Sequence, residues 1–259
     1  MTAKPALLEI CVEDDDGIAA AVAGGADRIE LCAALSVGGL TPPGSLIRIA
    51  AQAPLPVHLL ARPRDGGFAY GARDHAMIAG DIDDAAQAGL AGVVIGASLA
   101  DHTLDAAALA ALVAHARAAG ERRGHPLALT LHRAFDLCPD LAAALETAID
   151  LGFDRVLTSG GAPSAIDGAD RIAALHRQAA GRIVILAGSG VSPATLPALL
   201  RTGIGEVHAS CRRPAPLAAD SPERRFGFVA EDRRVTDVAM VRELATMLTR
   251  TTGLNNTNL

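Results

Sequence analysis

Short apolar runs rich in Val, Ile and Leu recur along the chain and alternate with longer Ala-rich segments whose apolar positions follow a helical period. Each short run is bounded by turn residues and has the length of a strand that is buried on both faces. The predicted strands are LLEICV (7–12), RIELCA (28–33), VHLLAR (57–62), GVVIGA (92–97), LALTLH (127–132), RVLTSG (155–160), IVILAG (183–188) and EVHASC (206–211). The predicted helices cover 17–23, 44–52, 76–88, 104–119, 141–151, 165–180, 192–201 and 237–249.

Eight strands that each precede a helix indicate the α/β class and a single (β/α)8 TIM-type barrel, with a doubly wound open sheet as the alternative. Glycines between a helix and the next strand, as in AGGAD (23–27) and RTGIGE (201–206), fit left-handed helix caps. We expect residues 1–259 to form one domain. Two parts depart from the repeat: 212–235, predicted as an extended surface excursion, and 251–259, predicted as a flexible tail.

The composition narrows the classes of function. A formal net charge of -6 without any basic run argues against nucleic acid or an anionic membrane surface as the partner. The chain has no basic start followed by a long apolar stretch and no segment of membrane-spanning length, so we expect a cytoplasmic protein. Its four cysteines, Cys11, Cys32, Cys138 and Cys211, are then expected as reduced thiols. Lys4 is the only lysine and precedes the first strand, which leaves no buried lysine for Schiff-base chemistry.

Polar side chains gather near the C-terminal ends of the predicted strands, where barrel enzymes have their active sites. If the protein is an enzyme, Glu30, His132 and His208 are candidate catalytic proton-transfer groups, and Arg62 either pairs with Glu30 or holds a substrate anion. The alternative is structural: Glu30 and Arg62 form an ion pair that closes the barrel, and the histidines are satisfied core residues. Arg133 has the opposite parity to His132, so we expect it in the barrel wall or a loop.

Two thiols suggest a metal site. Cys11 and Cys32 lie near the same ends of the first two predicted strands, which are expected to be neighbours, and His208 on the eighth strand offers an imidazole. Thiolates suit Cu(I) or zinc. Reduced cysteines are also among the most buried residue types and often act as small hydrophobic residues. No CxxC, HxH or HExxH motif strengthens the metal interpretation.

A phosphate site is a further interpretation. Barrels often bind phosphate with the loops after strands 7 and 8, through backbone N–H groups and a helix N-terminus. The candidates are Gly188, Ser189 and Gly190 after the seventh strand, Ser210 after the eighth, and Ser159 in a similar Ser-Gly-Gly turn on the sixth. Each turn also fits a tight connection with no ligand.

Five motifs in order resemble the CutC family of copper homeostasis proteins: ADRIELCAALSVGGLTP, ARPRDGGFAY, HRAFD, RVLTSGG and AGSGV. The resemblance runs from about Leu7 to Ser210. It implies a (β/α)8-type barrel, a cytoplasmic location, copper handling and a homo-oligomer. The thiols proposed to bind Cu(I) in the family match Cys11 and Cys32. Leu60 stands where the family usually has a methionine, which removes a thioether from that place.

The expected function is therefore cytoplasmic Cu(I) binding and handling through thiols at the barrel mouth, with copper as the partner. The alternative is an enzyme that uses Glu30, Arg62, His132 and His208 on a small anionic or phosphorylated metabolite, because a copper carrier does not require that set. A scaffold whose barrel only presents surfaces for assembly is a third class, in which the polar mouth would have no purpose.

Overall fold

The structure is a computed structural model that describes residues 6–215, 217–218, 220–230 and 232–254. The barrel strands are β1 (Leu7–Val12), β2 (Arg28–Leu31), β3 (Val57–Leu60), β4 (Gly92–Ile95), β5 (Ala128–Leu131), β6 (Arg155–Thr158), β7 (Val184–Ala187) and β8 (Glu206–Ala209). They pair in parallel in chain order, and β8 closes the ring against β1. The predicted (β/α)8 barrel is confirmed, and the open sheet is wrong.

Helices follow the strands around the outside of the barrel. They are α1 (Asp15–Gly24), α2 (Gly44–Ala50), α3 (Ala72–Gln87), α4 (Ala106–Arg123), α5 (Leu141–Leu151), α6 (Ala169–Ala179), α7 (Leu196–Leu200), α8 (Pro222–Arg225) and α9 (Val238–Leu254). Short 3-10 helices lie at Leu35–Val37 and Arg133–Leu137. Asp14, Asp105 and Asp140 cap α1, α4 and α5 with their side chains, as the acidic residues before each helix favour. Among the described residues, no helix is both long and apolar enough to cross a membrane.

The two faces of each strand have different surroundings. One set of alternating residues, represented by Ile10, Ile29 and Leu59, is fully buried in an apolar core to which the helices also contribute side chains. The other set points into the barrel and includes charged residues such as Glu9 and Arg28, which are partners in the β1–β2 register. The main apolar core therefore lies between sheet and helices, and the barrel interior is unusually polar.

The first strand ends where the sequence predicts, at Val12, and the other barrel strands end earlier. β2 ends at Leu31 and β5 at Leu131, so Cys32 and His132 lie one residue beyond the ladder. A continuous apolar run does not show where the backbone leaves the sheet, since the first loop residue is often still buried. The candidate polar residues near these ends therefore stand where the loops of the mouth begin.

The region 212–235 contains a two-stranded antiparallel sheet of β9 (Arg212–Pro214) and β10 (Arg234–Thr236), with α8 between them. An Arg212–Glu13 ion pair ties this sheet to the end of β1. Helix α9 is described to Leu254, and the rest of the tail expected at 251–259 lies outside the described residues.

Candidate functional site

A cavity of about 440 Å³ opens at the C-terminal end of the barrel. Its size falls within the range of small-molecule sites. All four residues predicted as catalytic, Glu30, Arg62, His132 and His208, line it together with Cys11. The residues at this mouth fall into two groups. We call Cys11, Glu30 and His208, from β1, β2 and β8, together with Cys32 behind them, directly after β2, the thiol wall. We call Arg62, Phe68 and His132, from the ends of β3 and β5 and the loop after β3, the donor wall.

The thiol wall brings three different ligand types together. Cys11 and Glu30 are partners in the β1–β2 register, which directs both side chains into the barrel at one level. The sulfur of Cys11, a carboxylate oxygen of Glu30 and a ring nitrogen of His208 all lie within 4.8 Å of one another, and all three residues are buried. The Cys32 thiol donates to Glu30 Oε2 at 3.3 Å. Cys11 and Cys32 also pack in one buried cluster with aliphatic side chains of β3 and β4.

An ionic layer lies directly beneath this wall. Glu9 is fully buried, and its Oε1 is 2.8 Å from Nδ1 of His208. Arg28 donates through Nε to the other carboxylate oxygen of Glu9 and through Nη2 to Glu206 Oε2, at 2.7 Å. Arg155 approaches the same Glu206 oxygen at 3.4 Å. The register that aligns Glu9 with Arg28 and His208 makes these contacts possible, because in-register residues of neighbouring strands point the same way.

Burial and charge set the protonation of these groups. Burial alone would raise the pKa of Glu9, but the hydrogen bond from His208 and the charge of Arg28 outweigh it and lower that pKa. Burial alone would lower the pKa of His208, whereas the neighbouring Cys11 and Glu30 groups hold it well above its ordinary value. In this charged state the Nδ1–H of His208 donates to Glu9.

The pKa values of Glu30 and Cys32 on the thiol wall are raised, in contrast to the lowered pKa of Glu9. Burial raises the pKa of Glu30, although the charge of His208 opposes the shift. Burial and then the Glu30 carboxylate raise the pKa of the Cys32 thiol well above its ordinary value. Cys32 is therefore a protonated donor to Glu30 as long as no metal replaces its proton.

Arg62 does not pair with Glu30, so both the predicted pair and the barrel-closing ion pair are wrong. Its Nη1 donates to the carbonyl oxygens of Val37 and Gly39, each at 2.8 Å, and its Nη2 donates to Gly66 O at 3.0 Å. Because β3 ends at Leu60, Arg62 lies in the following loop and is held by loop carbonyls rather than by a carboxylate.

The imidazole of His132 is held in a defined tautomer. Nδ1 accepts from the N–H of Ala134 at 3.1 Å, and Nε2 is buried with no hydrogen-bond partner in the described part of the chain. Burial and then the charge of Arg62 lower the pKa of His132 to about 3, so the ring is neutral and Nε2 carries the proton. Phe68 lies beside both groups, 4.7 Å from the His132 ring and 5.2 Å from the Arg62 guanidinium carbon.

The predicted phosphate residues divide into two sets. Ser189, Gly190 and Ser210 line the cavity. The Ser159 hydroxyl is bonded to the Asp136 carboxylate and to Ala162 O, and it faces a tight turn. Helix α7 begins at Leu196 rather than at 192 and has five residues, so no helix starts directly after the loop at 188–190.

Sequence reasoning missed several residues of the mouth. Phe68 comes from the loop after β3, where no periodicity marks a position. Arg133 lies in the 3-10 helix after β5, in a loop as expected, and it also lines the cavity while bonding to Asp136 and Ser159. Glu9, beneath the mouth, could have been found from the sequence. It lies on the same face of the predicted first strand as Cys11, and a carboxylate buried there needs a partner.

Comparisons with known proteins agree with this fold and show the family. The model of the CutC family matches residues 6–213. A CutC family protein of Rhizobium meliloti (strain 1021) is 52% identical over 242 residues, which cover 93% of this chain and 95% of the relative. Its counterpart in Caulobacter vibrioides (strain NA1000 / CB15N) is 49% identical over 245 residues, covering 94% and 97%.

Among solved structures, the crystal structure of CutC from Streptococcus agalactiae, whose name links it to copper homeostasis, matches with a TM-score of 0.73 and 28% identity over 79% of this chain and 98% of that one. A thiamine phosphate pyrophosphorylase from Pyrococcus furiosus matches with a TM-score of 0.57 and 14% identity over 95% and 96%, which reflects the barrel fold alone. On the family match and the identity to these relatives, this chain belongs to the CutC family.

Proposed function

We propose that this protein takes part in copper homeostasis by binding Cu(I) at the thiol wall, with Cys11 and Cys32 as thiolate ligands and His208 as an imidazole ligand. The observation that carries the proposal is the clustering of two buried thiols beside an imidazole at an open mouth. Thiolate sulfur is the ligand type that Cu(I) prefers, and imidazole also serves copper. Copper is here the cargo that the protein binds and passes on.

The surroundings of the thiols support a site that copper can enter and leave. Cys11 lines the cavity, whereas Cys32 lies deeper and is fully buried. Glu30 carries a hard oxygen, so in this proposal it orients the Cys32 thiol and is not a copper ligand. The proposal includes a cytoplasmic location, where thiols stay reduced, and a homo-oligomer, for which the exposed and stacked Phe226 and Phe228 offer an apolar surface.

The test is an anaerobic titration of reduced protein with Cu(I) against a competing chelator. Wild type should bind one Cu(I) tightly, and the Cys11→Ser, Cys32→Ser double variant should lose at least about a hundredfold in affinity, since serine does not replace a thiolate ligand. Cys138→Ser is the matched control, because Cys138 is also buried but does not line the cavity. Equal affinity in the double variant and wild type would contradict the proposal.

A second candidate is an enzyme that uses Glu30, Arg62, His132 and His208 on a small anionic substrate. It is favoured by the raised pKa values of Glu30 and His208, whose charged atoms Oε2 and Nε2 lie 3.8 Å apart beside a cavity. The two candidates differ in their sensitivity to substitution. Glu30→Gln and His132→Ala should leave Cu(I) affinity within about threefold of wild type if copper binding rests on the thiols.

A further inference from the structure

The side chains that meet on the thiol wall are not all suited to Cu(I). Among the residues that the structure describes, Cys11, Glu30 and His208 form the one group of three or more potential metal ligands within 4.8 Å of one another, and Cys32 is not a member. When an ion displaces the thiol proton of Cys11 and the Nε2 proton of His208, the resulting thiolate, carboxylate and neutral imidazole together carry two negative charges. That combination of one soft, one hard and one intermediate ligand matches a borderline divalent ion better than a soft monovalent one.

The distances fit a small divalent ion. Nε2 of His208 lies 3.8 Å from Oε2 of Glu30. A tetrahedral zinc ion with bonds of about 2.0–2.3 Å keeps its ligand atoms about 3.3–3.8 Å apart. The observed separation lies at the edge of this range, and the upper limit of 4.8 Å within the group requires a side-chain movement of only about 1 Å.

Two of the three ligands are already oriented by partners outside the group. Nδ1 of His208 lies 2.8 Å from Glu9 Oε1, which leaves Nε2 as the ring nitrogen that faces Glu30, and Glu9 is in turn held by Arg28. Carboxylates that accept from the second ring nitrogen of a metal-binding histidine fix its orientation. Glu30 is oriented in the same way by the Cys32 thiol.

We propose that Cys11, Glu30 and His208 form a three-ligand site for a divalent cation of the Zn²⁺ class, with its fourth coordination position open to the mouth cavity and Glu9 as a positioning residue. The open position follows from the cavity, which all three ligands line. Three protein ligands and one free position are typical of zinc sites that act on a bound small molecule, whereas structural zinc sites are closed by four.

This inference does not require that the protein binds Cu(I). The two sites share Cys11 and His208 and differ in the third group, which is Cys32 for copper and Glu30 for the divalent ion. Substitutions of Cys32 and Glu30 therefore separate them, and the two metals should exclude each other.

The test uses Co²⁺ as a spectroscopic probe on reduced, chelator-treated full-length protein. One Co²⁺ should bind and produce a sulfur-to-cobalt charge-transfer band together with the strong visible bands of a tetrahedral site, and one equivalent of Zn²⁺ should abolish both. Cys11→Ser should lose the charge-transfer band, and His208→Asn and Glu30→Gln should each weaken Co²⁺ binding at least about tenfold. Glu9→Gln should weaken it about 10- to 100-fold, as loss of an orienting carboxylate does.

Cys32→Ser is the decisive comparison. The serine hydroxyl can still donate to Glu30, so Co²⁺ affinity should stay within about threefold of wild type and the Co²⁺ spectrum should be unchanged. Cu(I) binding should be lost. Cys138→Ser controls for the removal of a buried thiol, and circular dichroism establishes that each variant is folded. Absence of the charge-transfer band in folded wild type, or a Co²⁺ affinity that falls as much in Cys32→Ser as in Cys11→Ser, would overturn the proposed ligand set.

Discussion

On the thiol wall, hydrogen bonds between side chains position the functional groups. His208 bonds to Glu9, Glu9 bonds to Arg28, and Cys32 bonds to Glu30. All these residues come from β1, β2, β8 or the position directly after β2, so the sheet register fixes their relative heights. A change in any one of them alters the charge and position of its neighbours.

On the donor wall, hydrogen bonds to backbone groups position the functional side chains. Arg62 donates to three loop carbonyls, and His132 accepts from an N–H two residues ahead in the chain. Its groups are therefore placed by loop conformation, although the charge of Arg62 adds to burial in keeping His132 neutral. The difference implies that substitutions beneath the thiol wall act on the stability of the whole barrel, whereas those on the donor wall act locally.

The largest effect should come from the ionic layer beneath the thiol wall. Arg28→Met leaves the buried Glu9 and the partly buried Glu206 carboxylates without their main cation, and we expect a loss of about 3–5 kcal/mol in the free energy of unfolding. Arg48→Met, on the exposed face of α2, should change it by less than about 0.5 kcal/mol. Urea denaturation measures both. A loss below about 1 kcal/mol in Arg28→Met would mean that the layer does not support the barrel.

On the donor wall, Gly96 makes room for the imidazole. A Cβ at this position would lie 2.4 Å from ring atoms of His132, so Gly96→Ala must displace the ring and should cost about 1–3 kcal/mol. The ¹⁵N resonances of the His132 ring should change, which reports the displacement directly. Gly80→Ala in α3, with nothing within 4 Å of the new Cβ, should instead stabilise by about 0.5–1 kcal/mol. Unchanged His132 resonances in Gly96→Ala would contradict this packing.

Arg62→Lys probes the carbonyl contacts of the same wall. Lysine keeps the charge but cannot reproduce the guanidinium fork, so two or more buried carbonyl contacts should weaken, at a cost of about 1–2 kcal/mol in thermal unfolding. Arg64, two residues on, also bonds to loop carbonyls but is far more exposed. Arg64→Lys should therefore cost less than about 0.5 kcal/mol, and equal losses in the two variants would remove the distinction.

The barrel and the faces of its strands could be predicted because they rest on local, periodic information. Alternation in RIELCA places Glu30 and Cys32 on one face, and the structure has them in contact. The partner of Glu30 could not be predicted in this way. Arg62 has the right charge but leaves the sheet after β3, while Arg28, on the same strand as Glu30, points to Glu9 one level below. Pairing depends on the register and on where each strand ends, and neither is visible in the hydrophobic pattern.

The loops of the mouth were the least predictable part. Phe68 and Arg133 reach the cavity because of the turns after β3 and β5, whose conformations depend on contacts such as Arg62 with Val37 and Asp136 with Ser159. These contacts join segments far apart in the sequence, so no single window of residues contains the information.

The smallest predicted effect concerns the contact between Thr41 and Asp81 of α3, which lies behind Arg62 of the donor wall, and it depends on pH. Burial raises the pKa of Asp81 to about 6, although its hydrogen bond from Thr41 opposes the shift, and the Thr41 hydroxyl also accepts the backbone N–H of Arg62. The folded state then binds this proton more tightly than the unfolded state, so the contribution of Asp81 to stability is fully present below about pH 4 and is lost as the pH rises through 6. Because Asp81 is half-buried, solvent screening limits the loss to about 1 kcal/mol.

Asp81→Asn keeps an acceptor for Thr41 and has no charge to bury, so it should remove this slope and raise the free energy of unfolding at pH 7 by about 1 kcal/mol. Asp84→Asn, on the exposed side of α3, removes only a weak repulsion and should keep most of the slope. Urea denaturation between pH 4 and 7 compares the three proteins. If wild type and Asp81→Asn had the same pH dependence, folding would not desolvate the Asp81 carboxylate, and the Thr41–Asp81 contact would support the donor wall only as a solvated hydrogen bond.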